Sequence, residues 1–225
     1  MIEYFAIVLA AGQGKRMKAG ENKQFITLEG KPLIIHTLTN FMADDWCKEI
    51  ILVTNPNELE RMSELLHQYS LGDRVKLIQG GKERQESVYN GLLHIKSRDN
   101  IVLIHDGARP FVKKEQLHAL AVAVKESHAA LLAVRVTDTI KQQRGDALTT
   151  LDRSSLWAAQ TPQGFQLGLI LDAHVRALEE SFLGTDDASL VERSGNPVQI
   201  VEGSYQNIKL TTPEDIERAK TFLND

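Results

Sequence analysis

The sequence predicts an α/β fold in which a mainly parallel sheet is covered by helices on both faces. Apolar runs of strand length alternate with segments of helical periodicity along most of the 225 residues. Those runs are continuously apolar, as strands buried on both faces must be, and turn residues punctuate them.

The elements follow in order. FAIVLAA, residues 5–11, is a strand that stops at Gly12. KPLIIHTLTNFM sets Leu33, Ile34, Thr37, Leu38 and Phe41 at helical spacing, with Gly30 and Pro32 marking its start. EIILVTN reads as a strand, and ELERMSELLHQY as a helix with Leu59, Met62, Leu65, Leu66 and Tyr69 on one side. VKLIQGG is a strand, ERQESVYNGLLHI a helix, and NIVLIHDGARP a strand running into a charged turn. EQLHALAVAVKESH, ALLAVRVTDTI, GLILDAHVRALEE, PVQIVEG, NIKL and TTPEDIERAKTFL continue the alternation as helix, strand, helix, two strands and helix. TDDAS starts a helix with Thr185 as N-cap, and Thr212, Pro213 and Asp215 form a second capping pattern.

One segment breaks this rhythm. DTIKQQRGDALTTLDR, about residues 138–153, is polar and turns at Arg144-Gly145-Asp146 between β-rich flanks. It predicts a hairpin standing off the sheet, and because an isolated two-stranded ribbon is marginal, a partner surface is expected for it.

Ligands of open parallel sheets bind beyond the C-terminal strand ends, and the polar oddities gather there. LAAGQGKRM, Leu9 to Met17, joins two glycines to Lys15, Arg16 and Lys18, with Lys23 shortly after. Glycines let backbone N–H groups approach phosphate oxygens. The loop is not a P-loop, because Arg16 stands where a hydroxyl is required, and Met17 replaces the third glycine of a dinucleotide fingerprint. HDGARP places Asp106 at a strand end, where it could hold a magnesium ion brought by a nucleotide, cap a helix, or pair with Arg109.

The totals narrow the classes. A formal charge of -4 and a pI near 6.0 argue against nucleic-acid coating or a polybasic membrane tether. A single cysteine, Cys47, excludes an internal disulfide framework, and no run reads as a signal peptide or membrane span, so a cytoplasmic protein is expected.

LAAGQGKRM, KQF at Lys23 to Phe25, HDGARP, DTIK, DRSSLWAAQTPQGF, TDDAS and NIKLTTPED occur in the order and spacing of a known family. Over nearly its whole length the chain resembles the 2-C-methyl-D-erythritol 4-phosphate cytidylyltransferases of the non-mevalonate isoprenoid pathway. The resemblance implies a single Rossmann-like nucleotidyltransferase domain over 1–225 whose β-arm serves dimerisation. It implies transfer of CMP from CTP to methylerythritol phosphate, with Mg²⁺ as cofactor. Ala10, Ala11, Gly12, Gly14, Gly81 and Ser87 would line the CTP pocket, and Arg16 and Lys23 would sit on the triphosphate. Asp106 would bind Mg²⁺ and Lys209 would lie near the reacting phosphates. Thr139, Arg153, Thr161 and Thr185 would contact the acceptor, Thr139 and Arg153 from the arm of a second subunit in a homodimer. Lys82 departs from the acidic residue that many relatives carry near the cytidine.

Other readings remain open at this level. Ribitol 5-phosphate cytidylyltransferases share the fold, arm and most loops, although LAAG and DRSSLWAAQTPQ favour methylerythritol phosphate. A non-catalytic nucleotide-binding module would not require Arg153 and Thr139, and an NAD-dependent dehydrogenase is more distant still, given Met17.

Overall fold

In the computed structural model, residues 2–12 and 22–223 are described. β1 (Tyr4–Ala10) is followed by the short pair β2 (Thr27–Leu28) and β3 (Lys31–Pro32), then α1 (Leu33–Met42), β4 (Cys47–Thr54), α2 (Leu59–Gln68), β5 (Val75–Gln79) and α3 (Arg84–Leu92). β6 (Ile101–Asp106), α4 (Lys114–Ser127) and β7 (Ala129–Arg135) lead into the arm strands β8 (Lys141–Arg144) and β9 (Ala147–Thr150). β10 (Trp157–Gln166), α5 (Leu167–Glu179), α6 (Asp187–Arg193), β11 (Gln199–Glu202) and α7 (Pro213–Leu223) complete the order.

Seven strands form the main sheet in the order β11-β7-β10-β6-β1-β4-β5. Every neighbouring pair is parallel except those made by β10, which runs antiparallel to both β6 and β7. The mainly parallel sheet is therefore as expected, with one strand added that the sequence reading left unassigned. Residues 207–210, read as a strand, instead form an irregular loop.

Strand alternation divides the core into two layers. Tyr4, Ala6, Val8 and Ala10 of β1, with Ile50 and Leu52 of β4, face α1, α2 and α4 through Ile34, Leu38, Phe41, Met62, Leu66, Leu117 and Leu120. The intervening Ile7, Leu9, Ile51 and Val53 face α3, α5 and α6 through Val88, Leu92, Ile170, Ala173 and Leu190. Both faces are buried, which is why these strands carry unbroken apolar runs. A smaller cluster of Leu28, Leu33, Ala108, Leu210 and Ala219 seats α7 beside the C-terminal edge.

The predicted hairpin is present. β8 and β9 pair from Lys141↔Thr150 to Arg144↔Ala147 around Gly145, whose φ of 58° lies in the left-handed region that glycine adopts most readily. Thr212 and Asp215 cap α7 as expected: Asp215 Oδ2 accepts from the Thr211 and Thr212 N–H groups, and Thr212 Oγ1 accepts from Asp215 N–H. At α6 the N-cap is Asp186, whose carboxylate accepts from Ser189 N–H, while Thr185 lies exposed one residue earlier. With two acidic residues in succession, the charged oxygen takes the capping position from the hydroxyl.

Candidate active site

After β1 the chain builds outward through β4 and β5 on one side, then returns to place β6 on the other. A crevice opens at such a reversal, at the C-terminal strand ends. Leu9 of β1 and Asp106 of β6 are register partners there, so the first loop and the carboxylate start from adjacent points. Gly80 after β5 lies so close to the first loop that an added Cβ would come within 2.6 Å of Ala11 Cβ.

These strand ends enclose a cavity of about 490 Å³. Ala11, Gly12, Lys23, Gly81, Ser87, Asp106 and Lys209 all line it, joined by Lys82, Glu83, Arg84 and Asn55. Ala10 is buried at the end of β1 beneath its rim. Gly14 and Arg16 lie outside the described residues.

Local hydrogen bonds fix each wall. Gly81 N–H donates to Ser87 Oγ at 3.0 Å, and that hydroxyl donates to Glu83 O at 3.0 Å, shaping the entry to α3. Lys23 opens a single 3₁₀ turn capped by Asn22, whose side chain accepts from Gln24 N–H and donates to Glu58. Lys23 Nζ reaches Leu210 O at 3.3 Å, tying this turn to the loop that carries Lys209. That loop is held in turn by Asn207, which donates to Thr161 O at 2.9 Å, and by Leu210 N–H, which donates to Ala108 O at 2.8 Å.

Asp106 is the electrostatic centre. Lys209 Nζ lies 2.6 Å from Oδ2, Arg84 Nε 3.6 Å from Oδ1 and Arg109 Nε 4.0 Å from Oδ2. Burial alone would raise this carboxyl, but Lys209, Arg84 and Arg109 hold it well below the ordinary carboxylate range. Of the alternatives open from sequence, a helix cap and an Arg109 partner, neither describes its main contact, which is Lys209.

Arg84 is a site residue that the motifs did not single out. Its Nη2 donates to Asp187 Oδ2 at 2.7 Å, and Asp187 is buried at the start of α6. Although burial opposes the charge, Asp187 and Asp106 together raise the Arg84 pKa. Gln163 of β10 braces the same helix start, accepting from the Asp187 and Ala188 N–H groups at 3.0 Å each and donating to Asp186 at 2.7 Å.

The expected acceptor residues separate into three places. Thr185 borders a small recess of about 80 Å³ next to the main cavity, shared with Arg84, Asp186 and Asp187. Thr139 and Arg153 are exposed at the base of the arm, where Arg153 Nη1 donates to Thr137 O at 2.6 Å. Thr161 is buried behind Asp106, its Oγ1 accepting from Asp106 N–H at 3.0 Å.

Chemically, the cavity offers several fixed cations around one ionised carboxylate. His105, the imidazole next to Asp106, is fully buried and burial lowers its pKa to about 4. Among the described residues no group of three or more metal-type side chains exists, so a closed protein cage for an ion is not what this wall provides. A hard carboxylate facing a cationic pocket does fit an ion that arrives with phosphate oxygens. A groove of about 570 Å³ between α3 and α5 is lined by Tyr89, Ala177, Leu178, Phe182 and Leu183 together with polar residues that include Glu83 and Glu86, and among the described residues no lysine or arginine lines it.

The family model described as "IspD: 2-C-methyl-D-erythritol 4-phosphate cytidylyltransferase" matches residues 4–225. A relative of that name from Geobacillus thermodenitrificans is 57% identical over 223 residues, covering 99% of this chain and 97% of the relative. Another from Halalkalibacterium halodurans is 53% identical with the same coverage. Among solved structures, the 4-diphosphocytidyl-2C-methyl-D-erythritol synthase of Anaerococcus prevotii superposes with a TM-score of 0.88 at 31% identity, covering 100% of this chain and 97% of that one. The Francisella tularensis 2-C-methyl-D-erythritol 4-phosphate cytidylyltransferase gives 0.83 at 33% identity, covering 97% of this chain and 99% of its own.

Proposed function

Because the chain belongs to the 2-C-methyl-D-erythritol 4-phosphate cytidylyltransferase family, we propose that the cavity at the β1–β6 crevice is where its reaction takes place. The enzyme transfers CMP from CTP to 2-C-methyl-D-erythritol 4-phosphate, giving 4-diphosphocytidyl-2-C-methyl-D-erythritol and pyrophosphate in isoprenoid precursor synthesis.

The observation that carries the site assignment is the convergence of Arg84, Arg109 and Lys209 on Asp106, at a cavity that Lys23 also lines. A phosphate monoester has a second pKa of about 6, so at neutral pH the acceptor is mostly a dianion and already nucleophilic. Attack on the α-phosphorus of CTP therefore needs no general base. The barrier lies in bringing two anions together and in stabilising charge on the leaving pyrophosphate, which is work for fixed cations.

The family resemblance supplies the roles, and for the described residues their place in or beside the cavity supports them. Ala10, Ala11, Gly12, Gly14, Gly81 and Ser87 shape the nucleotide side, and Arg16 and Lys23 hold the triphosphate. Lys209 is shared between Asp106 and the acceptor phosphate, and Thr185 borders the acceptor side. We assign Mg²⁺ to Asp106, where the ion would neutralise phosphate charge as it does in other phosphoryl-transfer sites. Thr139 and Arg153 complete the site of a second subunit in a homodimer. The exposed arm, with Leu148 64% exposed at its tip, supports that reading. No described helix is long and apolar enough to cross a membrane, which is compatible with the cytoplasmic location we propose.

The test is pyrophosphate release from CTP by the purified protein, with methylerythritol phosphate or ribitol 5-phosphate as acceptor, across a Mg²⁺ titration and in EDTA. Release with methylerythritol phosphate that requires the ion is expected. Full turnover in EDTA would remove the role given to Asp106 as an ion ligand.

A further inference from the structure

We infer that Glu86 sets the choice of nucleobase, as a positioning residue that holds the Gly81–Lys82 peptide with its carbonyl, and not its N–H, toward the base. The inference rests on the reading that Gly81 and Ser87 shape the nucleotide side of the cavity.

Lys82, where this chain departs from many relatives, lines that cavity. Its ammonium only donates hydrogen bonds. Cytosine presents an amino group at the ring position where uracil presents a carbonyl oxygen, so a donor on this wall favours uracil. An acceptor for the amino group has to come from elsewhere, and the backbone of the same turn contains one.

Glu86, in the first turn of α3, is placed to aim it. Its Oε2 accepts from Lys82 N–H at 2.8 Å. To reach that group the side chain lies across Gly81, where an added Cβ would come within 2.6 Å of Oε2. In a planar trans peptide the carbonyl points opposite to the N–H, so Gly81 O is directed away from Glu86. Glu86 lines the groove between α3 and α5 and not the cavity, whereas Gly81 and Lys82 line the cavity. The carbonyl therefore falls on the nucleotide side.

A lock is needed because Gly81, without a Cβ, leaves this peptide free to turn over. Turned over, it would show Lys82 N–H to the base and accommodate the uracil carbonyl. Held as it is, the turn sets one acceptor against another when uracil enters, and that unpaired contact is what rejects it.

The experiment compares CTP with UTP in steady-state pyrophosphate release with methylerythritol phosphate, for the wild type, Glu86→Leu, Glu86→Gln, and Glu86→Leu combined with Lys82→Pro. The wild type is expected to prefer CTP. Glu86→Leu, which removes the acceptor, is expected to lower the CTP-over-UTP ratio of kcat/KM about tenfold or more. Glu86→Gln keeps an oxygen for Lys82 N–H and should keep most of the preference. In the double variant the freed N–H no longer exists, so the preference for CTP should return. An unchanged ratio in Glu86→Leu would overturn the inference, as would a fall of the same size in Glu86→Gln, which would assign the effect to charge. Should the double variant fail to fold, Glu86→Leu against Glu86→Gln still decides. Ser87→Ala tests the reading beneath: a wild-type KM for CTP in that variant would remove this wall from the nucleotide side. A raised KM there, beside an unchanged ratio in Glu86→Leu, would overturn the inference alone.

Discussion

Lys209 Nζ sits 2.6 Å from Asp106 Oδ2, closing a contact between the irregular loop after β11 and the end of β6. In this arrangement the two charges neutralise each other within a cationic cavity. Substrate phosphates and an accompanying cation would offer each partner a better one, so the pair is poised to exchange. Lys209→Ala is expected to fold and to bind CTP, but to lose roughly a hundredfold or more in kcat, as deletion of a preorganised charge typically does. Calorimetric CTP titration alongside turnover would check this, and near-wild-type turnover would contradict it.

Arg84 and Asp187 link α3 to the buried start of α6 at 2.7 Å. Arg84→Met strands a carboxylate that is 1% exposed, an arrangement that costs about 3 kcal/mol. For a domain of this size that corresponds to a fall of roughly 6–12 °C in melting temperature. Adding Asp187→Asn should recover part of the loss, because the unpaired charge is removed as well. Additive effects in the double variant would count against the coupling.

His174 is buried beside Asp187, 3.9 Å away, and burial lowers its pKa from 6.5 to about 4 despite the nearby carboxylate. The unfolded chain takes up this proton near the ordinary histidine pKa and the folded chain only near the lower value. The stability is therefore complete above about pH 6.5 and is lost as the pH falls toward 4. One such imidazole contributes a slope of up to about 1.4 kcal/mol per pH unit. Urea midpoints between pH 7 and pH 4.5 should fall for the wild type and fall less steeply for His174→Gln. Identical slopes would show that His174 does not titrate as described.

The homodimer reading predicts complementation. Lys23→Ala and Arg153→Ala are each expected to lose most turnover as homodimers. Co-expressed with separable tags, the mixed dimer contains one site with both residues intact and should regain a substantial share of wild-type activity. If the mixed species stays inactive, Arg153 acts within its own chain or elsewhere.

How much of this was legible depends on what each segment had to advertise. The parallel strands were readable because burial on both faces demands continuous apolar residues, and the arm was readable because Gly145 marks its turn. β10 was not, since WAAQTPQGFQ has little apolar character. Its residues carry internal tasks: Gln163 braces α6, Thr161 accepts from Asp106 N–H, and Gly164 admits Val124, whose Cγ2 would lie 2.6 Å from an added Cβ. Lys23, Asp106 and Lys209 stood out within motifs, whereas Arg84 read as an ordinary helix start. Its meaning depends on Asp187, a partner far along the chain that no local pattern announces.

The arm also has a topological standing of its own. It departs from β7 and returns in β10, which are antiparallel neighbours, with Arg135 and Trp157 paired at its neck. The guanidinium of Arg135 lies 4.0 Å from the centre of the Trp157 ring, so the neck is clamped before the ribbon begins. Everything between those residues is an elongated hairpin loop whose closure cost grows only with the logarithm of its length. Insertions, deletions or wholesale replacement there leave the sheet register untouched. The paired strands β8 and β9 can therefore vary in length and composition without disturbing the scaffold beneath, while Thr139 and Arg153 at their base stay anchored near the neck.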